Sequence, residues 1–216
     1  MDMLQSLEQR FKELKRYPYD IDDKLRMRLY KERMKTGIEI IEAAEKLDGL
    51  TCVCGKGCNA CCRQLITVYP KEAEIAAEYL DSIIKGGKRA KFKRKLDEQI
   101  EYLADHGITA ESVREISDRG GDEELALKEM YVTLGIPCPL LSEEGSCMIY
   151  PVRPVSCWDY RCYGDPIDCK GQISHYACSN EKISVPLIID LLTDRRNEET
   201  YALKFFQTEL SKYLNW

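Results

Sequence analysis

Residues 52–62 read CVCGKGCNACC, which places five of the chain's eleven cysteines within one short stretch. A second stretch, residues 138–160, reads CPLLSEEGSCMIYPVRPVSCWDY, and Cys162, Cys169 and Cys178 follow it. The use of these thiols decides the fold. The segment 135–180 contains five prolines (137, 139, 151, 154 and 166) and four glycines (135, 145, 164 and 171), and shows no clear helical or strand period. A stretch of that length inside a compact domain needs something besides a hydrophobic core to order it. Metal ligation would serve.

The thiols could form disulfides, a zinc site, an iron–sulfur cluster or a reactive sulfur centre. The N-terminal run MDMLQSLEQRFKELKRYPYD is charged and has no apolar core of secretory type. The most apolar late run, VPLIIDLL at 185–192, is too short to span a bilayer and contains Asp190. These features lead us to expect a soluble, cytoplasmic protein with no membrane partner, in which thiols stay reduced. An odd cysteine count and the adjacent pair Cys61–Cys62 also suit structural disulfides badly.

Closely spaced cysteines can converge on one centre from a tight turn, and Gly55 and Gly57 give that turn its backbone freedom. Thiolates are soft ligands that select zinc, Cu(I) or iron–sulfur clusters. The expected ligands are Cys54, Cys58, Cys61 and Cys62 from the first box and Cys138, Cys147, Cys157 and Cys162 from the second. Cys52 is a spare, and the roles of Cys169 and Cys178 stay open. A four-ligand centre leaves seven of eleven cysteines over, whereas two centres use eight. His106 falls at an expected helix end and reads as a dipole partner there. His175, three residues before Cys178, is a candidate further ligand. Arg153, lying between two cysteines, could offset thiolate charge and donate hydrogen bonds to sulfur; the alternative is an exposed salt bridge.

The rest of the chain reads as helix. Amphipathic stretches fall at 3–15 and 21–48, the latter with Leu25, Leu29, Met34, Ile38, Ile41 and Ala44 near one stripe. ITVYP at 66–70 reads as extended, Pro70 opens a helix, and Gly86-Gly87 ends it. A helix with Phe92, Leu96, Ile100 and Leu103 on one face stops near Gly107. Thr109 and Asp122 are expected N-caps of two more, the second carrying Leu125, Met130 and Leu134. The tail, roughly 198–214, returns to helix with Tyr201, Phe205, Leu210 and Leu214 apolar.

This patterning predicts a mostly α protein. One domain spans 1–216, with a cysteine core at about 50–180 and flanking helices at 1–49 and 181–216. Its two irregular cysteine-rich segments meet at a metal centre. The basic run GGKRAKFKRK is followed at once by Asp97, Glu98 and Glu101, and the chain carries a net charge of −5, so a solvated helix face is favoured over a nucleic-acid surface.

Cys54-x3-Cys58-x2-Cys61 is similar to the cluster motif of radical S-adenosylmethionine enzymes, but the successive helices expected after it do not match their partial β/α barrel. The two boxes together resemble the YkgJ-like cysteine-cluster family, also described as a zinc- or iron-chelating domain. The resemblance rests on Cys58, Cys61, Cys62, Cys138, Cys147 and Cys157, together with Pro139, Leu141, Tyr150, Arg153 and Pro154. Cys54 matches an extra upstream cysteine of many members. It covers about 54–162, half the chain. The resemblance extends to the flagellin lysine-N-methylase group, which implies an iron–sulfur centre, [4Fe–4S] in type. It also raises S-adenosylmethionine-dependent methylation of a protein substrate. The alternative it leaves open is a zinc-binding structural or metal-delivery protein without catalysis. No Ser/His/Asp set, phosphate loop or carboxylate pair singles out catalytic machinery.

Overall fold

A computed structural model describes residues 22–47, 49–55, 57–163 and 203–216, together with helical positions Gln5, Ser6, Gln9 and Glu13. The fold is mostly helical, as the sequence predicts. Asp22 opens helix α1 (Asp23–Leu47), its carboxylate accepting from the main-chain N–H groups of Lys24 and Leu25 at 3.1 Å each. After the first cysteine box come strand β1 (Thr67–Val68), then α2 (Pro70–Ile83), α3 (Gly87–Asp105), α4 (Ala110–Arg119) and α5 (Asp122–Leu134). A single helical turn, α6 (Val155–Trp158), lies in the second box, and β2 (Lys204–Phe205) and α7 (Phe206–Tyr213) close the chain. Among the described residues, the eight glycines with positive φ lie outside the interiors of these elements, and Gly135 closes α5 in the left-handed conformation.

The main core joins α1, α2, α3 and α7 to the second cysteine box. Ile40, Ile41, Ile75, Leu80, Leu96, Phe206 and Leu210 pack there with Leu140, Ile149, Val152 and Trp158. Gly37 makes one of these contacts possible, because a Cβ at that position would stand 2.8 Å from the Trp158 ring. A second cluster gathers Leu65, Leu103, Ile108, Val113, Leu127, Tyr131 and Phe205. β1 and β2 pair antiparallel, Thr67 opposite Phe205 and Val68 opposite Lys204. That pairing fixes the end of the chain beside the first box.

Three expectations need correction. On α5 the buried residues are Leu127 and Tyr131, while Leu125 and Met130 are exposed. The cause is tertiary: Phe205 arrives from far along the chain, and Gln207 donates to the Tyr131 hydroxyl at 2.8 Å, which turns that face inward. Gly121, not Asp122, occupies the N-cap of α5. In the tail, residues 204–205 are strand and helix begins at Phe206. The part of the tail before residue 203 lies outside the described residues, as do the expected helix over 181–202 and the roles of Cys169, Cys178 and His175.

The basic run at the start of α3 is partly neutralised within its own neighbourhood. Arg89 pairs with Asp81, Lys93 with Asp97 and Arg94 with Glu98. No helix among the described residues is long and apolar enough to cross a membrane.

Candidate metal centre

Short turns aim the thiols of the first box. The Cys58 N–H donates to the Gly55 carbonyl at 3.0 Å, and a 3-10 turn over Ala60–Arg63 then carries Cys61 and Cys62. From Cys62 the site crosses directly to the second box, because the Cys138 N–H donates to the Cys62 carbonyl. Residues 138–149 fold into a small knuckle: the Met148 N–H donates to the Leu140 carbonyl at 2.9 Å, and Leu141 bridges antiparallel to Cys147. Gly145 turns the knuckle at φ +78, and its carbonyl accepts from the Asn59 side chain at 3.3 Å. A Cβ there would meet that amide at 2.8 Å. The two boxes are therefore laced together by main-chain geometry.

Cys157 arrives on α6, and Glu72 fixes α6 in place. This carboxylate sits at the third position of α2 and reaches back to the Tyr69 N–H at 3.0 Å, the reciprocal half of a capping box. Its other oxygen accepts from the Val155 N–H at 2.7 Å and the Tyr30 hydroxyl at 3.2 Å. Glu72 is almost wholly buried, and burial pushes its carboxyl up to about 7 despite three hydrogen bonds that favour the charged form. Ser156 adds a bond to the Thr67 carbonyl at 2.7 Å, which ties α6 to β1.

Electrostatics sorts the thiols into two sets. Burial is the largest cause pushing the Cys157 thiol up, and the thiols of Cys138, Cys61 and Cys147 add to it, so these four are neighbours. At Cys138 burial takes the thiol up to about 12. Cys61 is raised first by the hydrogen bond it shares with the Cys62 thiol and then by burial. We call Cys61, Cys62, Cys138, Cys147 and Cys157 the inner set; Cys138 and Cys147 pack against the main core. The outer set is Cys52, Cys54 and Cys58. Burial first, and then the neighbouring Cys52 and Cys58, push the Cys54 thiol up to about 12.

Cys162 stands behind the outer set. It is buried against Ala60 and Cys54, its N–H donates to the Cys54 sulfur at 3.3 Å, and its carbonyl accepts from the Val53 N–H at 2.9 Å. All nine described cysteines are free thiols. Among the described residues no three His, Cys, Asp or Glu side chains are already closed around one point as a metal would require. A metal closes such a set by displacing the thiol protons.

The surroundings of the inner set fit a soft metal centre. Arg153 opposes the rise of the Cys61 and Cys147 thiols, so its positive charge faces them. Its guanidinium lies 4.3 Å over the Tyr150 ring, while its Nε is buried without a hydrogen-bond partner. The main-chain N–H groups of Leu140 and Ile149 likewise favour the thiolates of Cys138 and Cys147. Donors of this kind orient and tune sulfur ligands. His106 takes no part: it caps α3, with Nδ1 2.8 Å from the Tyr102 carbonyl.

Sequence reasoning missed Glu72 and Arg161. Glu72 had a local signal, a glutamate three residues after the N-cap of a proline-opened helix. Arg161 had none, since its partner Glu45 lies 116 positions away.

Residues 53–181, more than half of the chain, match the family model named CxxCxxCC, described as "Putative zinc- or iron-chelating domain". The chain carries the end of that signature as Cys58-x2-Cys61-Cys62, with Cys54 one position further upstream than the spacing asks. Neither a curated protein nor a solved structure matches the chain.

Proposed function

This chain belongs to the CxxCxxCC family of zinc- or iron-chelating domains, and from that premise we propose that its inner thiols hold an iron–sulfur centre. The observation that carries the reading is the convergence of Cys61, Cys138, Cys147 and Cys157, from three segments of the chain, close enough that each resists the ionisation of its neighbours, beside Arg153. A fifth thiol, Cys62, shares a hydrogen bond with Cys61. Closed zinc sites and [4Fe–4S] clusters each use four ligands, so the fifth thiol leaves one spare in either reading. In this reading Arg153 binds at the cofactor, offsetting the charge of the cluster and donating to sulfur.

A bound cluster would supply electron-transfer or Lewis-acid chemistry. The protein's own residues hold and shield it: Glu72 fixes the approach of Cys157, and Trp158 packs against Gly37 beneath it. Protein methylation with S-adenosylmethionine is the enzymatic extension implied by resemblance, and it would require a site for that cofactor. Zinc held by the same thiols, with a structural or delivery role, is the second reading; the knuckle over 138–149, closed by Gly145 between two cysteines, favours it.

Anaerobic purification with iron, sulfide and zinc analysis separates these readings. The iron–sulfur reading expects a brown protein carrying iron and sulfide in matching amounts. A colourless protein with stoichiometric zinc would overturn it and leave the zinc reading in place.

A further inference from the structure

We propose that a cleft between α1, α2 and residues 213–216 binds a small organic anion, an apolar or aromatic body carrying a carboxylate or phosphate group, at Lys24 and Lys31. The cleft measures about 800 Å³, within the range of about 300–1,000 Å³ usual for small-molecule sites. No cysteine lines it, so the proposal is independent of the inner metal and of its identity.

The walls set the body of the ligand. Met27, Ala77 and Leu214 supply apolar surface, and Tyr79, Tyr213 and Trp216 supply rings. The Trp216 wall is already fixed: its indole N–H donates to the Asp81 carboxylate at 3.1 Å, and the Phe92 ring meets it edge-on at 5.8 Å. A ligand entering there meets a formed surface and loses little to ordering it.

The side chains left unanswered set the charge of the ligand. Each carboxylate lining the cleft already has a cation. Glu74 and Glu78 pair with Arg26, Glu74 also pairs with Lys71, and Asp81 pairs with Arg89. Arg89 is committed as well: its Nε donates to the Ile84 carbonyl and its Nη2 to the Asp81 carbonyl, each at 2.9 Å, and its guanidinium lies over the Trp216 ring. That leaves Lys24 and Lys31, which have no carboxylate partner among the described residues. Lys31 is half-buried, and its ammonium rests on the face of Tyr79, 4.9 Å from the ring centroid. A ring face attracts the charge but gives the three N–H donors of an ammonium no lone pair. An anionic oxygen would satisfy them. Burial, then Glu209 and Glu74, push the Tyr213 hydroxyl up, so it offers a further donor at neutral pH.

The test uses the full-length protein, purified anaerobically with its metal in place, and two fluorescent probes built on the same rings: anionic anilinonaphthalene sulfonate and neutral phenylnaphthylamine. The wild type should bind one equivalent of the anion saturably and the neutral probe at least about tenfold more weakly. Lys31→Gln should weaken the anion by about tenfold and leave the neutral probe unchanged, a split that lost packing would not give. Lys24→Gln should act in the same direction but less, because Lys24 is exposed and screened by solvent. Lys31→Arg keeps the charge and should bind the anion nearly as the wild type does. Competition with phenyl phosphate and with phenylacetate identifies the head group, and displacement by either supports the site. Equal binding of the two probes would overturn the proposal. Displacement by neither competitor would also overturn it, and so would full affinity for the anion in a variant carrying both glutamines.

Discussion

The inner and outer thiols are built from the same residue type and partly from the same turn, yet their surroundings divide them. Cys138 and Cys147 pack on the main core with Leu140, Ile149 and Trp158 nearby, whereas Cys52 and Cys54 line an open cavity. Each set has its own guanidinium. Arg153 lies at the inner set with a spare buried Nε, and Arg161 lies at the outer set locked to Glu45. What divides the two sets is burial, together with the buried carboxylates Glu72 and Glu45 that brace them.

The comparison can be broken most severely at the arginine of the outer set. Arg161→Gln leaves the Glu45 carboxylate buried and bonded only to Tyr163, and breaking a buried pair this way costs about 3 kcal/mol or more. For a chain of this size that lowers the Tm by roughly 10 °C, which a thermal melt reads directly. An unchanged Tm would mean that Glu45 and Arg161 are solvated.

Glu72 sharpens the inner side. Its folded-state value of about 7 lies above the ordinary carboxylate value of about 4.3. Between those values the native state holds the proton more tightly than the unfolded chain. Stability is therefore fully present at low pH, falls as pH rises through that window and levels off above about 7, by up to roughly 3 kcal/mol in all. Denaturant midpoints of the metal-stripped protein measured across pH 4.5–7.5 should show this slope in the wild type and not in Glu72→Gln. Equal slopes would remove Glu72 from the account.

The smallest expected effect is at Gly37. Alanine in a helix interior normally gains about 1 kcal/mol over glycine. Here its methyl group would stand 2.8 Å from the rigid Trp158 ring, and overpacking of that kind costs about 1–3 kcal/mol. Gly37→Ala should be destabilising by about 1 kcal/mol net, seen as a lower denaturant midpoint. A stabilised variant would show that the close approach of α1 to α6 is dispensable.

Much of the frame was legible because it is local. Apolar spacing and the Pro70 and Thr109 signals place α2 and α4 correctly, and the Thr109 hydroxyl does accept from the Ser112 N–H at 3.1 Å; Gly86-Gly87, expected to end α2, instead stands at the start of α3, and α2 is capped by Ile84. The cysteines also marked the candidate metal site from their spacing alone. Their division into two sets was not legible, because turn geometry decides where adjacent thiols such as Cys61 and Cys62 point. The inward face of α5 was misread for a similar reason: Phe205 and Gln207 select Leu127 and Tyr131 from a distance no local pattern records. Glu72 was readable as a helix cap, but its second role at Val155 depends on a contact across 83 positions.

The central claim is that Cys61 and the thiols of the second box serve one centre. The metal-to-protein ratio of anaerobically purified Cys61→Ser and Cys157→Ser, set beside the wild type, tests it most directly. Both variants should lose the tightly held metal to the same extent. Wild-type metal content in either variant would contradict a centre shared between the two boxes.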